Sequence, residues 1–223
     1  MTQLRIHLTR HGEVHNPEGL LYGRLPGYGL SERGHEMAAR LAEHFTSGDY
    51  RVAALVASPL QRAQETIAPL AAALEMTPQT DERVIEAANR FEGAVLNRDY
   101  LTQPRNLVRL YNPLRPSWGE PYTAQVVRMR AAIASLRRRL EPLAGEAAEE
   151  AGEAVDGVIV SHQLPIWVTR RAAEGHRLWH DPRDRECALA SVTTFTYAGG
   201  ALTDIAYTDV CADLQAQKAV PGA

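Results

Sequence analysis

Residues 52–66 read VAALVASPLQRAQET. The first six form a continuous apolar run, the pattern of a strand covered on both faces. Ser58-Pro59-Leu60-Gln61 then starts a helix. Ser58 suits the cap, Pro59 the first helical position, and Gln61 the reciprocal place in a capping box. The helix is expected to reach about Leu74. A buried strand that turns through a polar corner into a helix is the repeating unit of an α/β fold.

The same unit recurs on either side. Residues 4–9 (LRIHLT) are β-prone and end at Arg10-His11-Gly12, where the glycine punctuates the run. Residues 157–160 (GVIV) are a second buried-strand run, followed by Ser161-His162 and a helix over about 163–174. Between them, Ser31 is placed to cap a helix over 31–47 that carries Met37, Leu41 and Phe45 at helical spacing. Gly48-Asp49 stops it. Residues 79–85 read as a weaker strand and 97–121 as a long irregular loop rich in Arg, Pro and Asn. Residues 122–142 read as a helix ending in Arg137-Arg138-Arg139, and 144–156 as a small, acidic, solvated connection. Gly199-Gly200 between 190–198 and 201–208 signals a hairpin. The pattern predicts a three-layer α/β/α sandwich whose sheet is mainly parallel with one antiparallel edge strand. It predicts a single domain over residues 1–210 and a frayed tail over 211–223.

Composition narrows the class. The chain has 223 residues, 45% apolar and 23% charged, with a net charge of -3. Those values fit one soluble globular domain and carry no basic footprint for nucleic acid. Cys187 and Cys211 are too few for a disulfide framework and show no metal-ligand spacing. Met1 to Thr9 lacks the pattern of a signal peptide, and no stretch approaches the roughly eighteen apolar residues of a membrane span. The expectation is a cytoplasmic protein with free thiols and no membrane partner.

Three polar groups therefore stand at the ends of apolar strand runs: Arg10-His11, Ser58 to Arg62, and Ser161-His162. In open α/β sheets ligands bind outside the carboxyl ends of the strands. If these strands are parallel neighbours, one crevice holds two arginines and two histidines. Arginine forks match phosphate oxygens, and a neutral imidazole among them can attack phosphorus.

Thr9-Arg10-His11-Gly12-Glu13 resembles the RHG motif of the histidine phosphatase (phosphoglycerate mutase-like) superfamily. Ser58-Pro59-Leu60-Gln61-Arg62-Ala63-Gln64-Glu65-Thr66 is similar to its second block, and Val160-Ser161-His162 to its third. The resemblance covers most of the chain. It implies that His11 takes the phosphoryl group and that Arg10, Arg62 and His162 hold its oxygens, with no metal and no cofactor. It implies Glu86 as the proton donor, with Glu92 and Glu13 as substitutes, since Arg90 stands where the family pattern has a glycine. Asn16 is expected as a further phosphate donor, although the segment after the motif is shorter than in many members. Arg24, in Tyr22-Gly23-Arg24, is the expected contact for a second anion. The implied partner is a small phosphorylated substrate, and the implied assembly a homodimer.

Hydrolysis is preferred over 2,3-bisphosphoglycerate-dependent mutase action, because the residues after Asn16 and through 86–121 do not look like the mutases. A non-catalytic binding module is disfavoured by the intact Arg10, His11, Arg62 and His162 set. A zinc-binding face of His7, His11 and His15 needs a helix where Gly12 and the strand pattern oppose one. His7 is then an ordinary strand residue, and His180-Asp181-Pro182 a turn. Arg98, Arg105, Arg109 and Arg115 are either solvated loop charges or a lid over an anionic substrate.

Overall fold

A computed structural model describes residues 3–112, 116–150 and 154–215. Six strands form one sheet: β1 (Gln3–Arg10), β2 (Val52–Ala57), β3 (Gln79–Thr80), β4 (Val155–Ser161), β5 (Val192–Ala198) and β6 (Ala201–Thr208). Their order across the sheet is β3-β2-β4-β1-β5-β6. β1, β2, β3 and β4 pair in parallel, while β5 runs antiparallel to β1 and to β6. The terminal hairpin thus supplies the antiparallel edge. Its turn uses Gly199 and Gly200 at φ 57° and 83°, a left-handed pair that the strands' twist favours.

Helices cover both faces. α1 (Glu32–Ser47) and α2 (Gln61–Ala73) lie on one, where Leu41, Phe45, Ile67 and Leu70 pack on Leu55, Val158 and Val160. α5 (Tyr122–Glu150) and α6 (Gln163–Ala173) lie on the other, where Met129, Ile133, Leu136 and Ile166 pack on Ile6, Leu8 and Ile159. Alternate residues of one strand feed the two layers, as the period of a strand requires. No helix among the described residues is long and apolar enough to cross a membrane.

Several local expectations change. Ser58 does not cap α2: the helix starts at Gln61 with Leu60 at its cap, and the Ser58 hydroxyl lies 2.8 Å from His162 Nε2 instead. Residues 143–150 are helix rather than a connection, because Ala and Glu propagate a helix well. The Arg137–Arg139 run is therefore mid-helix: the Arg137 guanidinium stacks on Tyr197 at 3.9 Å, and Arg139 meets Gln79. The long loop contains two helical turns, α3 (Arg98–Leu101) and α4 (Pro104–Leu107), and Asn97 caps the first. Of its arginines, Arg98, Arg105 and Arg109 are exposed, and Arg109 reaches the Arg90 carbonyl at 3.2 Å; Arg115 lies outside the described residues. Of the tail expected to fray, residues 211–215 are packed. Cys211 is buried against Met37, and Gln215 donates to the Leu189 carbonyl at 2.9 Å. Residues 216–223 lie outside the described residues.

His7 is not an ordinary strand residue. On the α1–α2 face, the fully buried Asp156 of β4 accepts from Arg5 Nε at 2.6 Å, Arg5 Nη2 at 2.9 Å and the Arg51 amide at 2.7 Å. His7 Nε2 completes this cluster at 2.7 Å. Burial pushes the Asp156 carboxyl up, but the bonds from His7 and Arg5 outweigh it and hold the carboxyl below its usual range. Burial lowers His7. Both shifts mean that the unfolded chain binds more protons, so stability falls as pH falls. His7 contributes below its ordinary pKa of about 6.5, and Asp156 as pH drops through its depressed value. Asp156→Ala strands Arg5 and His7, and should lose about 3–5 kcal/mol in urea unfolding at pH 7. A loss under about 1 kcal/mol would show the cluster to be a solvated surface pair.

Candidate active site

The parallel strands bring the three polar groups to one sheet edge. Arg10 ends β1 and His11 follows it; Ser161 ends β4 and His162 precedes α6; Arg62 lies in the first turn of α2, just past β2. The registers place Arg10 opposite Ser161 and Ala57 opposite Val160. All four side chains are buried: Arg10 at 4%, His11 at 1%, Arg62 at 1% and His162 at 0% exposure.

The His11 tautomer follows from one contact. Nδ1 lies 2.8 Å from the Gly12 carbonyl, which only accepts, so Nδ1 carries the proton and Nε2 the lone pair. Burial holds His11 well below its ordinary pKa, and Arg62 and Arg10 add to the effect. His162 stands with its ring 5.1 Å from that of His11 and is lowered in the same way, by burial, Arg62 and His11. Its Nε2 lies 2.8 Å from the Ser58 hydroxyl, which can donate or accept; where Ser58 donates, His162 Nδ1 carries the proton.

Each arginine spends one N–H on a backbone carbonyl: Arg10 Nη1 on Cys187 at 2.7 Å, and Arg62 Nη2 on Gly23 at 2.7 Å. Arg62 also lies over the Tyr22 ring at 4.8 Å. Arg10 Nε, Arg62 Nε and His162 Nδ1 are buried without a hydrogen-bond partner among the described residues. Buried polar atoms are normally paired, and three orphans around one imidazole mark a place for an anion.

The loop carrying His11 is held from α1 and α2. The Gly12 amide donates to Thr66 Oγ1 at 3.0 Å. A Cβ at Gly12 would meet the Gly34 carbonyl at 2.7 Å, and one at Gly34 the Glu13 carbonyl at 2.0 Å, so only glycines allow this approach.

Glu86 joins the cluster. Its Oε2 is 4.0 Å from His162 Nδ1, and its Oε1 accepts the Ala87 amide at 2.7 Å. Burial raises its pKa, against the pull of Arg62, Arg10 and Arg185. The other acids considered are occupied. Glu13 binds Ser31 at 2.7 Å and Arg33, bracing α1, and Glu92 accepts the amides of Arg24 and Asn89.

Two further expected contacts look elsewhere. Asn16 closes its own turn, donating to the Leu20 carbonyl at 2.9 Å and accepting the Leu20 amide at 3.1 Å. Arg24 donates from Nε to the Glu86 carbonyl at 2.7 Å and from Nη2 to Glu120 at 3.0 Å. Glu120 also takes a bidentate pair from Arg128, which in turn holds the Arg83 carbonyl at 2.7 Å. Arg24, Glu120 and Arg128 together brace the backbone on both sides of Glu86. His7, His11 and His15 do not converge, since His7 is bound to Asp156 and His15 is exposed. Among the described residues no cluster of three or more His, Cys, Asp or Glu side chains is arranged to hold a metal ion.

A cavity of about 80 Å³ opens beside Glu86, lined by Tyr22, Gly23, Asn89, Gln163 and Arg185 among others. Sequence reading missed Arg185, Glu120 and Arg128. All three come from segments without a motif, and Arg185 falls just beyond the stretch read as a turn.

Fold and site together define a class: an α/β sandwich with a histidine-centred, arginine-walled anion pocket at the carboxyl ends of its parallel strands. The chain belongs to the histidine phosphatase superfamily, whose branch 1 model matches residues 6–209. It is 46% identical over 216 residues to the uncharacterized protein Rv0525 of Mycobacterium tuberculosis strain H37Rv, covering 94% of this chain and 98% of that protein. Among solved structures, the mycobacterial glucosyl-3-phosphoglycerate phosphatase superposes with a TM-score of 0.69 at 23% identity, covering 92% of this chain and 96% of that one. The alpha-ribazole phosphatase from Shigella flexneri gives 0.63 at 22% identity, covering 86% and 90%. At these identities the superpositions establish a shared fold.

The orphaned donors predict anion binding apart from any turnover. Inorganic phosphate at about 100 times its Kd adds about 2.7 kcal/mol, which for a chain of this size raises Tm by about 5–10 °C. Arg62→Ala should lose most of that shift in differential scanning fluorimetry. An equal shift in both proteins would place the phosphate elsewhere.

Proposed function

We propose that the protein is a metal-independent phosphatase that hydrolyses a small phosphate monoester through a phosphohistidine on His11. The supporting observation is the lone pair of His11 Nε2 in a pocket where Arg10 Nε, Arg62 Nε and His162 Nδ1 are buried with no hydrogen-bond partner among the described residues. In the first step Nε2 attacks phosphorus, an N–P bond forms and the P–O ester bond breaks. Glu86 gives its proton to the departing oxygen. In the second step the Glu86 carboxylate takes a proton from water, whose oxygen attacks phosphorus. The N–P bond breaks, phosphate leaves, and His11 and Glu86 regain their starting forms. Arg10, Arg62 and His162 stabilise the negative charge spread over the equatorial oxygens. Burial acts at both ends of this scheme, shifting His11 toward its free-base form and Glu86 toward its acid form.

His11→Ala should abolish phosphate release from p-nitrophenyl phosphate in the presence of chelator. Acid quenching of the wild type during turnover should trap an acid-labile phosphoryl group on His11, detected by mass spectrometry. Interconversion of phosphoglycerates without net phosphate release, when 2,3-bisphosphoglycerate is supplied, would replace hydrolysis with mutase action.

The pH dependence has a definite sign. As pH rises, kcat/KM increases through the depressed pKa of His11 and decreases through the raised pKa of Glu86. Glu86→Gln should remove the alkaline limb. It should slow alkyl phosphates by about 10²–10⁴-fold and p-nitrophenyl phosphate, a good leaving group, far less. A required free base with a pKa well above 7 would contradict the assignment of His11.

A further inference from the structure

Arg185 is a cation with no acidic partner. Its Nε donates to His180 Nε2 at 2.9 Å and its Nη1 to Gln163 Oε1 at 3.2 Å, and both acceptors are neutral. No carboxylate among the described residues lies within ion-pairing distance of it. His180 is itself fixed. Its Nδ1 lies 2.7 Å from the Leu178 carbonyl, so Nδ1 is the donor and the Nε2 lone pair faces Arg185. The His180 ring is seated against Tyr122 and Trp167, with centroids 5.6 and 6.0 Å away. Two neutral acceptors thus aim a guanidinium into the cavity beside Glu86. Arg185 is half-buried, and a partly desolvated cation without a counter-ion favours an anionic ligand.

Its position says what it faces. The cations whose charge acts on His11 are Arg62 and Arg10. Glu86 is acted on by those two and by Arg185 as well. Arg185 and Glu86 also line one cavity, so Arg185 stands on the Glu86 side of the pocket, where the scheme above places the departing oxygen. Arg24, the arginine that sequence favoured for a second anion, is committed to the Glu86 carbonyl and Glu120. We infer that Arg185 reads a second anionic group, a carboxylate or a further phosphate, on the part of the substrate that leaves as the alcohol. This rests on the reading of His11 and Glu86 given above for which end of the substrate lies where. The substrate class becomes phosphate monoesters of small hydroxy acids or of already phosphorylated alcohols.

The test is isothermal titration of two non-hydrolysable probes, 3-phosphonopropionate and ethylphosphonate, which differ in one carboxylate. The wild type should bind the carboxylate-bearing probe about 10- to 100-fold more tightly, the worth of a charge-assisted pair. In Arg185→Gln that preference should fall to about twofold or less, with ethylphosphonate affinity unchanged. His180→Phe keeps an aromatic ring and removes the acceptor that aims Arg185, and it should lower the preference too. A wild type without the preference overturns the inference, and so does a preference that survives undiminished in either variant that still binds ethylphosphonate. The phosphohistidine scheme fails on a different result, namely phosphate release that survives in His11→Ala.

Discussion

Two guanidinium groups are buried beside each other at the end of β1 and the start of α2, and neither has a carboxylate within ion-pairing distance among the described residues. Burial lowers the pKa of Arg62, Tyr22 and Glu86 oppose that, and the charge of Arg10 adds to it. Like charges in a poorly solvated place repel strongly. The folded chain keeps them there with neutral supports: the Cys187 and Gly23 carbonyls and the face of Tyr22. These weak supports do not cancel the positive charge. The free energy that holds the pair together comes from elsewhere, chiefly from the apolar layers on both faces of the sheet.

That debt explains how closely the surrounding contacts tie distant segments to the site. Thr66 takes the Gly12 amide, which ties α2 to the loop after β1. Ser161 Oγ donates to the Val84 carbonyl at 2.7 Å, which ties the end of β4 to the segment leading to Glu86. Arg24 and Arg128 then clamp that segment from the outside through Glu120. Each brace crosses between elements far apart in sequence. A pocket assembled this way holds its geometry before any ligand arrives, which is the condition for electrostatic stabilisation without reorganisation.

The legible parts of the sequence were those with a period or a motif. The apolar runs at 52–57 and 157–160 gave strands because parallel strands covered on both faces admit little else. The residues just past them faced one edge because parallel strands share a direction. What escaped was set by tertiary contact. Ser58 looked like a cap, but His162 competes for its hydroxyl, and that preference is invisible without the neighbouring strand. Asp156 looked like part of an acidic connection, and only the register with β1 pairs it with His7 and Arg5. Asn16 carries a side chain able to bind phosphate, yet its amide matches the local turn to Leu20, a competition that short polar side chains often win. Arg185 sits in an aperiodic segment, and its position depends on His180 and Gln163, which sequence gave no reason to join.

The protonation states form a matched set. Burial favours the neutral form of every group that can lose its charge, so it lowers His11 and His162 and raises Glu86. Arginine cannot respond in this way, because it stays charged in any protein environment. The permanent charges around His11 are therefore those of Arg10 and Arg62. A phosphate monoester near neutral pH is close to a dianion, so it cancels that charge without needing a proton from the site. Had the pocket used lysines, burial could have discharged them, and the match to a dianion would have been lost.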